Sequence, residues 1–193
     1  MKNKTISTKK IVLTALLAAL TVAGSYLRIK VPSIVGTSAF HLGNIICALS
    51  GILLGPLYGG LAAGLGSAIF DMFDPYYISE CWITFIMKGA YGVVAGLIAW
   101  AGKKPWDTGV RFSYLKALLA AIGGALTYAA LYLLKTYFYG GLLIKGLTPS
   151  AALVAVFEKI PATTFNAVVA VIAAPLLAVT ISKALEKAHI KLH

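Results

Sequence analysis

The sequence predicts an all-α membrane protein with six transmembrane helices and cytoplasmic N- and C-termini. Three observations carry this. Of the 193 residues, 60% are hydrophobic and only 12% charged, against roughly 45–50% and about 25% in a soluble domain. The apolar residues run in stretches near the ~20 needed to span a bilayer. The basic residues cluster in short segments between those stretches, as membrane-flanking loops do. The whole chain, 1–193, reads as one six-helix transmembrane domain.

The first helix is expected over about 10–29. It follows the basic stretch MKNKTISTKK and has no small-residue cleavage site, so it reads as a span rather than a removed signal peptide. A loop with Pro32 and Gly36 follows over 31–41. The second and third helices are expected at 42–54 and 57–73, separated by Gly55-Pro56, and Asp74-Pro75 stops the third. Both are short for a full span. The fourth is expected at 80–101 and the fifth at 114–138. The stretch after Pro149 is too long for one span, and Pro161 is taken to divide it. That leaves a short apolar surface segment at 149–157 and a sixth helix from 161 to 182, kinked at Pro175.

The charges set the orientation. With the N-terminus inside, the cytoplasmic segments hold Lys2, Lys4, Lys9, Lys10, Lys103, Lys104, Arg111, Lys116, Lys183, Lys187 and Lys191, most of the 17 basic residues. Arg28, Lys30 and Lys145 fall outside, with the acids Asp71, Asp74, Glu80 and Glu158. This distribution explains the net charge of +11 without a nucleic-acid partner, and none is expected.

The unusual polar groups thus gather at one end. Ionisable residues inside spans cost about 2.5–3.5 kcal/mol on insertion scales, so they face partners or wet cavities. Glu80, Thr84 and Lys88 share one face of the fourth helix at i, i+4, i+8. Tyr128, Tyr132, Lys135 and Tyr139 share one face of the fifth, and Lys159, Thr163 and Asn166 one face of the sixth. Bringing the three stripes together makes an outward-opening pocket with aromatic walls and hydrogen-bonding heads, suited to a small planar polar solute. Each has a plainer use. Tyr137 and Tyr139 fit an interfacial aromatic belt, Lys135 a snorkelling lysine, and Asn166 a helix–helix hydrogen bond. Glu80 and Glu158 also fit as solvated loop acids. Lys88 sits two turns inside its helix, where snorkelling is harder. The loop with Pro32, Gly36, Thr37, Ser38, Phe40 and His41 could close over the pocket, as could the segment before the sixth helix.

Small residues four apart let helices approach closely. Gly60/Gly64 and Gly92/Gly96 fit internal packing, and the first helix carries Ala15, Ala19 and Ala23. Cys47 and Cys81 form no CxxC and read as inert thiols. There is no GxxxxGK[ST] phosphate loop, no HExxH and no GxSxG, so neither ATP hydrolysis nor other enzymatic activity is expected, and no metal or cofactor. Three readings stand: a capture subunit, an autonomous small-solute transporter or channel without ATPase partners, and a membrane enzyme using Glu80 or Asp71, for which no paired-carboxylate motif exists.

The alanine stripe, the run His41-Leu42-Gly43-Asn44, and Leu53-Leu54-Gly55-Pro56-Leu57-Tyr58-Gly59-Gly60 carry a family likeness. So do Gly64-Leu65-Gly66-Ser67-Ala68, Thr84-Phe85-Ile86-Met87-Lys88-Gly89, Gly92 and Gly96. On these the chain resembles the substrate-binding S-components of energy-coupling factor (ECF) transporters, most strongly over 41–96. The resemblance implies a multi-pass protein of the bacterial plasma membrane, among membrane lipids. It would bind a small water-soluble vitamin or precursor near the outer surface, with the first loop as lid. Its partners would be a transmembrane coupling subunit and two ATP-binding subunits, docked on Ala15, Ala19 and Ala23, and transport would involve toppling in the bilayer. Riboflavin, pyridoxine, thiamine precursors, pantothenate and queuosine precursors all stay open as ligands. The nickel and cobalt branch begins Met-His, whereas this chain begins Met1-Lys2.

Overall fold

A computed structural model describes residues 8–35, 37–102 and 112–188. The expected cytoplasmic positions Lys2, Lys4, Lys103, Lys104, Arg111 and Lys191, and the lid residue Gly36, lie outside the described residues. The elements in order are α1 (Thr8–Tyr26), β1 (Arg28–Pro32), β2 (Thr37–His41), α2 (Gly43–Met72), a 3-10 turn (Ile78–Glu80) and α3 (Cys81–Trp100). Then come α4 (Tyr114–Lys135), a π-helical segment (Thr136–Ile144) and α5 (Pro149–Lys187). Among the described residues, five helices are long and apolar enough to cross a membrane.

α2 is not straight. Gly55 stands at φ 79°, ψ −177°, a conformation that glycine alone adopts cheaply. Pro56 then removes the amide that would have bonded the Ile52 carbonyl. The chain doubles back here. Cys47 Sγ and Ser67 Oγ are 3.7 Å apart, whereas twenty residues of straight helix would separate them by ~30 Å. The two limbs, 43–54 and 56–72, correspond to the two short helices expected there. The stranded Ile52 carbonyl accepts from the Trp100 indole N–H at 2.9 Å, so the break leaves that group satisfied.

Glycines hold the centre together. A Cβ at Gly51 would lie 2.9 Å from the Ala95 methyl, and one at Gly92 would lie 2.9 Å from the Gly59 carbonyl carbon. The expected glycine pairs of α2 and α3 therefore pack inside the protein, letting backbones touch. Cys47, Ile52, Ala63, Tyr91, Ala117 and Ala121 fill the core around this contact. Outward, Leu16, Leu97, Leu119, Leu126, Ile172 and Leu176 are exposed, an apolar surface that lipid rather than water would cover.

The structure corrects the sequence reading in three places. The first helix ends at Tyr26, and the residues expected as its last turn and the following loop form a two-stranded antiparallel hairpin with Arg28 opposite His41 and Pro32 opposite Thr37. The fold is therefore mostly rather than wholly helical. The fifth helix passes into a π-helical segment, closed by the Lys145 amide donating to the Gly140 carbonyl at 3.2 Å. Pro161 does not start the last helix. α5 begins at Pro149, capped by Thr148 Oγ1 accepting from the Ala151 amide, and runs through Pro161 and Pro175. The segment 149–157 is thus its first turns and no lid. A proline inside a helix frees one carbonyl, while ending the helix would free several, which is the costlier outcome in lipid.

Candidate ligand site beneath the hairpin

The three polar stripes converge. A cavity of about 740 Å³, open solvent at its mouth included, lies under the hairpin. Glu80 lines it from the end of the 3-10 turn, Thr84 and Lys88 from α3, Tyr128, Tyr132 and Lys135 from α4, and Thr163 and Asn166 from α5. Of the proposed contacts only Lys159 lies outside this lining, and it borders a neighbouring opening instead. Tyr139 is also elsewhere, edge-on to Trp82. Residues the stripes did not include complete the wall: Ser25, Arg28, Ala39, Ser67, Phe70, Asp71, Tyr77, Met87 and Ala162. Ser67 and Asp71 are four apart on α2, the same spacing that marked the other helices.

At the cavity floor Lys88 is 4% exposed. Its ammonium donates to Asn44 Oδ1 and stands 3.7 Å from the centre of the Tyr128 ring. Tyr91, Tyr128 and Tyr132 form a near-parallel ladder, with ring centres 6.0 and 5.7 Å apart. Stacking and the cation over a ring face favour this order. Higher up, Lys135 forms an ion pair with Glu80. The floor therefore offers a cation with spare donors beside aromatic surface.

The hairpin is the roof, and five polar residues hold it down. The Asn166 amide bridges two points of β2, accepting from the His41 amide at 2.9 Å and donating to the Ala39 carbonyl at 2.8 Å. Lys159 and the Tyr77 hydroxyl both donate to the Thr37 carbonyl, at 2.7 and 2.8 Å. Glu158 accepts from Ser33 Oγ and the Ile34 amide at the tip. Asp74 pairs with Arg28 and Lys30 at the stem. Phe40 packs edge-on to Phe165. Burial alone would raise the Asp74 carboxyl. The Tyr76 amide, Lys30 and Arg28 outweigh it and hold the group below the ordinary carboxylate range.

His41 belongs to both roof and wall. Burial, then Lys88 and Arg28, push its imidazole well below the usual value, so it is neutral. Its Nδ1 accepts from the Gly43 amide at 3.2 Å, which leaves the proton on Nε2 as a donor. Of the expected lid residues, Pro32, Thr37, Ser38, Phe40 and His41 all lie in the strands. Ala15, Ala19 and Ala23 share an exposed face of α1, opposite the buried Thr14, Leu17, Ala18, Thr21 and Ser25.

Residues 5–185 match the family described as ECF-type riboflavin transporter, S component. The chain belongs to this family. A Pyrococcus woesei protein described as "Uncharacterized protein in gap 3'region" is 32% identical to it over 123 residues, which is 64% of this chain and 74% of that protein. As an S component the chain is a multi-pass membrane protein that captures a vitamin for a transporter, and it is not an enzyme. S components act with partners of an ECF module, so the absence of a phosphate loop accords with energy supplied from outside the chain.

Proposed function

We propose that this S component captures a planar heterocyclic vitamin, riboflavin in the first place, from the extracellular side and hands it to a transmembrane coupling subunit driven by two ATP-binding subunits. The observation that carries the reading is the convergence of Lys88, Tyr128, Tyr132, His41 and Asn166 on one cavity roofed by the hairpin. A flavin ring is flat, uncharged and rimmed with carbonyl oxygens and ring nitrogens. The tyrosine faces suit the plane, and the Lys88 ammonium and His41 Nε2–H suit the rim.

In this reading the six apolar limbs, counting α2 as two, all belong to the membrane domain. Both termini lie in the cytoplasm, in keeping with the basic residues at the end opposite the hairpin. Ala15, Ala19 and Ala23 form a smooth, lipid-exposed strip on which a coupling helix can seat.

Uptake of labelled riboflavin into proteoliposomes tests the assignment. ATP-dependent uptake only when coupling and ATP-binding subunits are co-reconstituted is the expected result. Uptake by this chain alone would replace it with an autonomous carrier.

A further inference from the structure

Beside the cavity is a second opening of about 730 Å³, open solvent included, between the hairpin, the 3-10 turn, the π-helical segment and α5. Tyr77, Glu80, Tyr132 and Lys135 line both spaces, so the Glu80–Lys135 pair stands in the partition between them. The charges bordering this vestibule are Lys135, Lys145 and Lys159 against the single carboxylate of Glu80. Lys135 already engages that carboxylate, which leaves two lysines over.

Lys159 is the informative one. It is 2% exposed, and the Thr37 carbonyl takes one of its three N–H donors. Among the described residues it has no ion pair. The adjacent Glu158 is hydrogen-bonded to Ser33 and Ile34 and makes no direct ion pair with it. A buried ammonium without a counter-ion is costly unless an anion completes it. Lys145 lies at the end of the π-helical segment, on the rim of the same space, and is exposed.

We propose that the vestibule is an anion subsite, taking the phosphate or carboxylate on a side arm of the ligand whose ring fills the inner cavity. It rests on the capture role argued above. The ligand class it favours is the monophosphate ester of a hydroxylated vitamin over the parent alcohol. The four shared residues put ring and arm within one molecule's reach, and two lysines match the charge of a phosphate monoester.

The test is equilibrium dialysis of purified full-length protein in low salt against matched pairs: riboflavin and its 5′-phosphate, pyridoxine and its 5′-phosphate. Inorganic phosphate alone is a third probe. The expected result is an ester bound at least about tenfold tighter than its parent, with Lys145→Gln lowering the ester's affinity far more than the parent's. Inorganic phosphate should compete with the ester and not with the parent. Equal affinities overturn the proposal, as does a preference that survives both Lys145→Gln and the Lys145→Gln/Lys159→Gln pair. Phosphate binding without any ester preference marks a site for free anions and overturns the side-arm assignment. If neither parent alcohol nor its ester binds, the vitamin assignment fails instead. The anion site is then decided by phosphate alone: a melting-temperature rise lost in Lys145→Gln supports it, and no rise overturns it.

Discussion

Under the proposed function, Lys88 serves both the fold and the ligand. Its ammonium is buried, tied to Asn44 and set over the Tyr128 ring, yet it lines the cavity. A hydrogen bond to a charged group contributes about 1.5–3 kcal/mol, so Lys88→Ala should weaken riboflavin binding by roughly 10- to 100-fold. Fluorescence titration measures it, and a retained melting temperature shows that the fold survives. Unchanged affinity would remove Lys88 from the site. Asn166 holds β2 by both ends of its amide, a part not foreseen for it, and it lines the cavity as well. Asn166→Leu removes two hydrogen bonds of about 0.5–1.5 kcal/mol each. Ligand dissociation should quicken by about tenfold or more in stopped-flow measurements.

Among elements, the hairpin is the one that sequence reasoning missed, and the reason is physical. The strands have five residues each, and most of what holds them comes from Asp74, Tyr77 and α5, far along the chain. Periodicity within 28–41 carries no trace of those partners. The stripes on α3, α4 and α5 were legible because helical spacing alone puts them on one face, and eight of their residues do meet in the cavity. Pro161 misled because a proline that ends a helix in water is carried through one in lipid. The stem of the hairpin has a pH signature. Asp74 titrates below its unfolded value, so its contribution is fully present above about pH 4. It is lost as the pH falls through the lower folded value. Thermal stability of the wild type should drop over that acid range, and the drop attributable to this anchor should be absent in Asp74→Asn. Identical pH profiles would contradict the role given to Asp74.

At the scale of the whole molecule, the proposed function gives two faces different work. The hairpin end gathers the site, while α1 exposes the small side chains of Ala15, Ala19 and Ala23 beside the larger Val12, Leu16 and Leu20. Ala19→Trp should therefore leave riboflavin affinity within twofold and abolish co-purification with the coupling subunit, because only the close approach of two helices is blocked. Loss of ligand binding instead would place α1 in the pocket's support. The proposed division of the chain into a capture end and a docking flank makes the ligand itself the central claim. It is tested most directly by native mass spectrometry of the purified protein, as isolated and after incubation with riboflavin. One riboflavin per chain, displaced by no excess of thiamine or pantothenate, is the predicted result. A chain that stays empty with riboflavin and is filled by another vitamin, or by none, would contradict it.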